Sequence, residues 1–93
     1  MEKTILIILI GTRKESAVTV QQVLTAWGCI IKTRLGLHDG VLEDCTNQGL
    51  VICELCGTKE QNDELAHNIS VIQGVSSQIV TVALETDKIA ETK

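Results

Sequence analysis

The chain has 93 residues, 44% of them hydrophobic, and carries 8 basic against 12 acidic side chains for a net charge of −4. That length supports one domain with a modest core, its Leu, Ile and Val content excludes disorder, and no apolar run approaches the roughly 18 residues of a membrane span. The acidic balance opposes the phosphate neutralisation that supplies most non-specific nucleic-acid affinity, so direct DNA or RNA binding is not expected.

Residues 4–10 form the first element. After Thr4 every position is apolar, with Ile5, Ile7 and Leu9 on one face and Leu6, Ile8 and Ile10 on the other, the pattern of a central strand. The Met1-Glu2-Lys3 start and this short run lack the length and cleavage site of a signal peptide. A cytoplasmic location follows as the expectation, and with it four reduced cysteines, Cys29, Cys45, Cys53 and Cys56.

Thr12 stands three residues before Glu15, the capping-box spacing that satisfies two orphan amides, so a helix is predicted from there to about Trp27. Ala17, Val20, Val23, Leu24 and Trp27 make its apolar stripe, and Gly28 is expected to end it in the left-handed conformation. Residues 30–38 then read as an edge strand. By alternation Ile31, Leu35 and Leu37 share one face, while Lys32, Arg34 and His38 share a wet one.

Residues 39–48 are a largely polar hairpin connection containing Gly40, Glu43, Asp44, Cys45 and Asn47, and the expected flexible element. Residues 50–56 form a second central strand, apolar on both faces apart from Glu54. Thr58 with Gln61 repeats the capping box, and Leu65, Ile69 and Ile72 form the buried stripe of a second helix. Gly74 ends it, and residues 75–84 form the last strand. One domain therefore covers residues 1–84, and the polar tail 85–93 is expected to be disordered.

The order is also a repeat. Gly11-Thr12-Arg13-Lys14-Glu15 after the first run answers Gly57-Thr58-Lys59-Glu60-Gln61 after the third, an offset of 57 − 11 = 46 residues that also lays Gly28 on Gly74. A period near half the chain is a duplication within one domain, since solenoids need at least three repeats. The predicted product is an α+β sandwich of βαββαβ order, a four-stranded antiparallel sheet with two helices on one face. Those helices leave the other face of the central strands bare, and that face is aliphatic in either register. A homo-oligomer, dimer or tetramer, in which a second copy covers it is expected.

Few residues suggest chemistry. Cys53 and Cys56 have Cys-x-x-Cys spacing, but on a strand positions i and i+3 point to opposite faces, so two small buried hydrophobes are the simpler reading. His38, Asp39, Glu43, Asp44 and Cys45 carry metal-ligating groups along the hairpin at a spacing that matches no standard zinc pattern. The Gly11 and Gly57 turns offer amides at helix N-termini, suited to a carboxylate or to capping alone. Arg34 could pair with such an anion or stand exposed. His67 falls opposite Leu65 and is read as solvated. No nucleophile triad, carboxylate pair or phosphate loop is present, so no enzyme is expected. RNA-recognition motifs need strand aromatics, and this chain has no Phe, no Tyr and one Trp.

Thr33-Arg34-Leu35-Gly36-Leu37-His38, the Cys45 hairpin, Gly49-Leu50-Val51-Ile52-Cys53-Glu54-Leu55-Cys56-Gly57 and Ile72-Gln73-Gly74-Val75 together resemble the small bacterial iron-only hydrogenase system regulators. The resemblance runs to Val82. It implies likeness to ACT domains and to the C-terminal domain of the nickel-responsive repressor, ferredoxin-like folds that oligomerise and bind effectors or metal between subunits. Regulation by a small-molecule effector is what it implies, with Gly11 and Thr12 matching the glycine-bearing turn that ACT domains use; Arg34, on its charge and strand position, is expected as a further ligand contact. No cofactor is expected on that view. The alternative, a metal sensor or chaperone for nickel or zinc, would use His38 and Cys45, although the repressor's DNA-binding arm has no counterpart here. A protein-interaction module is the third possibility.

Overall fold

The computed structural model describes residues 1–11, 14–38 and 49–85. In chain order these form β1 (Glu2–Ile10), α1 (Lys14–Ala26), a short 3-10 turn (Gly28–Ile30), β2 (Ile31–His38), β3 (Gly49–Leu55), α2 (Lys59–Ser70) and β4 (Val75–Ala83). The sheet order is β2-β3-β1-β4 with every neighbouring pair antiparallel. This is the ferredoxin-like βαββαβ sandwich. The two strands that are apolar on both faces, β1 and β3, lie in the middle, where both faces can leave water.

Register sorts the side chains. Across β1 and β3, Leu6 lies opposite Cys53 and Ile8 opposite Val51, and all four are buried with Ile10 and Leu55. Val20 and Leu24 of α1 and Leu65 and Ile69 of α2 close over them to complete the core. Each buried Leu or Ile of this set contributes about 1.5–3 kcal/mol relative to exposure. Ala17, Val23 and Trp27 pack at its margin, so the stripe of α1 lies where its period of 3.6 residues puts it.

Two expectations need correction. Gly28 does not end α1 in the left-handed region. Among the described residues Gly74 is the glycine with positive φ, 82°, whereas Gly28 opens the 3-10 turn after Trp27. That turn buries Ile30 and directs its carbonyl at the Cys56 amide, 2.7 Å away. The second correction concerns β2. Ile31 pairs with Leu55 and Thr33 with Glu54, so Lys32 is an extra residue in the ladder and the register shifts there. A bulge reverses the phase of everything after it. Arg34 therefore lies opposite buried Cys53, and Leu35 opposite Ile52. The aliphatic Leu35 joins the bare face of the sheet and Arg34 the helix-covered side, the reverse of a face shared by Ile31 and Leu35.

The hairpin 39–48 with Cys45, the tail 86–93, and Thr12 with its capping box lie outside the described residues. The second box is present in full. Thr58 accepts from the Gln61 amide, and the Gln61 side chain accepts from the Thr58 amide at 2.9 Å.

Candidate functional site

The turn after β1 is braced from inside the chain. The Gly11 amide donates to the Gly74 carbonyl at 2.9 Å, and a Cβ on Gly11 would meet that oxygen at 3.1 Å. Buried Ser16 adds a hydroxyl donated to the Gln73 carbonyl. The Gly11 amide is thus committed, and a ligand here would meet the turn's other groups. A groove of about 420 Å³ lies alongside, between Ser16 and Thr19 of α1 and Ile72 and Gln73 past α2.

Arg34 is exposed on the edge strand β2. Its charge draws the Cys53 thiol pKa down, but burial outweighs it and the thiol is pushed up overall. Arg34, Cys53 and Leu6 stand in one cross-strand row, five residues short of Gly11. At about 3.3 Å per residue and about 4.8 Å per strand, the two backbones are roughly 19 Å apart. One subunit does not bring Gly11 and Arg34 together. The row next to Gly11 holds Ile10, Gly49 and His38 instead. Among the described residues no group of three or more His, Cys, Asp or Glu could hold a metal. Cys53 is buried in the core, while Cys56 is exposed past the strand end, its thiol donating to the Ile30 carbonyl at 3.3 Å. The Cys-x-x-Cys sulfurs therefore do not converge.

The structure also shows a cleft that sequence reasoning did not identify. About 680 Å³ lies between the first turn of α2 and the ends of β1 and β4. Its floor joins the Thr4 and Thr81 hydroxyls at 3.3 Å, and its rim carries Asn62, which accepts from the Gly57 amide at 3.2 Å and donates to the Gly57 carbonyl at 3.3 Å. Lys59 pairs with Asp63 at 2.8 Å, which holds its ammonium pKa above the ordinary value. These groups satisfy one another, and among the described residues no buried side-chain nitrogen or oxygen lacks a partner. The cleft joins residues from opposite ends of the chain, so no local spacing announces it.

The largest unfilled demand is on the bare face of the sheet. Register gathers there Ile5, Ile7 and Leu9 of β1, Leu50 and Ile52 of β3, Leu35 of β2, and Val80 and Val82 of β4. Leu9 is 54% exposed, Leu35 51% and Val82 62%. The Lys3–Glu54 ion pair, 3.0 Å long, closes one end.

No family model matches the chain, and no curated protein does. Among solved structures, the uncharacterized protein TM1266 from Thermotoga maritima superposes with a TM-score of 0.74 at 21% identity, over 89% of this chain and 100% of that one. The two share a ferredoxin-like fold. Weaker likenesses, too distant to carry an argument, include CPII from Thiomonas intermedia K12, a nitrogen regulatory PII-like protein bound to ADP, AMP and bicarbonate (TM-score 0.46, 18% identity, 90% of this chain and 94% of that one). A dimeric ferredoxin-like protein of unknown function from Thermobifida fusca YX is at the same distance (TM-score 0.46, 14% identity, 89% and 92%). Among the described residues no helix is long and apolar enough to cross a membrane.

Proposed function

We propose that this chain is a non-enzymatic, ACT-like regulatory module, of the kind the resemblance to hydrogenase system regulators implies, which forms homo-oligomers and holds a small effector between subunits. The observation that carries the reading is the bare aliphatic face. Side chains of this type forgo about 1.5–3 kcal/mol each when left fully in water, against a whole-domain stability of roughly 5–15 kcal/mol. A second copy laid on that face recovers much of that energy.

The effector contacts are the turn of Gly11 and Thr12 of one copy, through groups other than the committed Gly11 amide, with Arg34 of another, because within a single copy the strand register keeps the turn and the guanidinium apart. A ligand that bridges copies binds the assembled state more tightly than the separated one, and by linkage it shifts the population toward assembly. That is how such a module would report an effector to a partner.

A thermal-melt panel against amino acids, nucleotides and divalent metals tests the proposal, with light scattering on the same samples. A ligand at 100 times its dissociation constant adds about 2.7 kcal/mol, and each kcal/mol moves the midpoint of a domain this size by about 4–8 °C. The expected result is a multimer whose midpoint rises with one organic anion and no longer does so in Arg34→Ala. A rise with nickel or zinc that disappears in the His38→Ala, Cys45→Ala double variant would replace the effector by a metal. No rise with any ligand would replace it by a protein partner.

A further inference from the structure

The two edges of the sheet are not alike. β2 carries the devices that keep a strand edge from pairing: a bulge at Lys32, and the charges of Lys32 and Arg34 along its length. β4 carries none. It runs nine residues as Val-Ser-Ser-Gln-Ile-Val-Thr-Val-Ala, without a charge, a proline or a glycine, and it pairs with β1 from Val75 to Ala83 without a shift in register. A long, regular, uncharged edge is a template for another strand.

Which of its backbone groups are free follows from the ends of the ladder. Leu84 donates its amide to the Met1 carbonyl at 2.7 Å, and Gly11 donates to the Gly74 carbonyl at 2.9 Å. In an antiparallel pair the bonded positions alternate. Even-numbered residues of β4 therefore turn their backbone to β1, and Ser77, Ile79 and Thr81 turn theirs outward from the sheet.

We propose that this edge is the seat of a second copy of the chain, with two β4 strands paired antiparallel across a twofold axis at Ile79. The proposal rests on the assembly part of the reading above and adds a second contact surface to the bare face. Ile79 is the midpoint of the strand, so a twofold there uses its whole length. Each outward residue then meets one of its own kind: Ile79 its own copy, and Ser77 the partner's Thr81. β-branched pairs and Ser–Thr hydroxyl pairs are both favourable across strands, and no charge meets its like.

The bare face of one copy is modest in area, and pairing the edges enlarges it. Four strands about 4.8 Å apart and seven to nine residues long at about 3.3 Å each give a footprint of roughly 500 Å². A stable interface takes about 800 Å² from each partner. Edge pairing adds backbone hydrogen bonds and, because the axis stands perpendicular to the sheet, places both bare faces on one side as a single surface of twice the extent.

Amide hydrogen exchange on the unaltered protein, read residue by residue and beside light scattering, tests this. In a lone sheet Gln78, Val80 and Val82 are protected by β1 while Ser77, Ile79 and Thr81 exchange freely. The expected result is slow exchange of both sets in concentrated protein, with protection of the second set lost on dilution. Fast exchange of Ser77, Ile79 and Thr81 in a protein of multimeric mass would overturn edge pairing and leave assembly through the face standing. A monomer mass at every concentration would remove both. Ser77→Pro, which deletes an outward amide and no bond to β1, is expected to halve the mass of the assembly, and an unchanged mass in the folded variant would also overturn the proposal.

Discussion

Single residues in this chain are decided by which side of the sheet they meet. Cys53 is fully buried and Cys56 exposed although only two residues separate them. Alkylation of the native protein is expected to modify Cys29 and Cys56 and to reach Cys53 only on unfolding, as peptide mass mapping would show. Burial raises the Cys53 pKa above its ordinary 9.0, so between those values the unfolded chain has released a proton that the folded one still holds. The contribution of Cys53 to stability is therefore fully present below pH 9.0 and is lost as pH rises from there through the folded value. Replacing Cys53 by Ala is expected to remove that part of the alkaline decline in a pH series of melts. Gly74, at φ 82°, is a position where backbone conformation makes a Cβ costly. Gly74→Ala should lose about 1–2 kcal/mol, read as a lower melting midpoint, and Gly74→Asn should lose less because Asn tolerates that region.

Elements here owe their limits to local chemistry that tertiary contacts then adjust. The box of Thr58 and Gln61 starts α2 where sequence places it, and Thr58→Ala is expected to cost about 0.5–2 kcal/mol by chemical denaturation. Asn62 adds a second anchor, since it bonds both backbone groups of Gly57 while 6% exposed. Asn62→Ala would leave those groups short of partners and should cost about 1–3 kcal/mol by the same measurement. Gly57 is locked in turn, because a Cβ there would lie 2.9 Å from Ile30 and from the Gln61 side chain. β2 shows the opposite case. Its alternation was legible, yet one bulged residue put Ile31 on the opposite face from Leu35 and Leu37.

The whole molecule is a half-covered sheet. Its helices bury one face, and an aliphatic surface remains on the other, with Leu9, Leu35 and Val82 each more than half exposed. Ile7 sits near the centre of that surface, opposite Ile52 on β3 and Gln78 on β4. Ile7→Glu is expected to halve the mass of the assembly by light scattering, leaving the edge-paired species, with an unchanged far-ultraviolet circular dichroism spectrum. A charge there costs a lone sheet little, but it would be buried without a partner beneath a second copy. An assembly that survives this change would not be held through the face.

Sequence by itself determined the order of elements, the central places of β1 and β3, the second capping box and the aliphatic bare face. Each of these rests on short-range periodicity, and residues 5–10 and, apart from Glu54, 50–56 are apolar on both faces whatever they pack against. It did not determine the phase of β2 beyond Lys32, the fate of Gly28, or the distance between Gly11 and Arg34. Those depend on which residues stand opposite one another across strands, and one bulge or one 3-10 turn resets that pairing without changing the local pattern. The cleft below α2 and the contrast between a guarded β2 edge and an open β4 edge are of the same kind. Both exist only once residues from opposite ends of the chain are brought together by the fold.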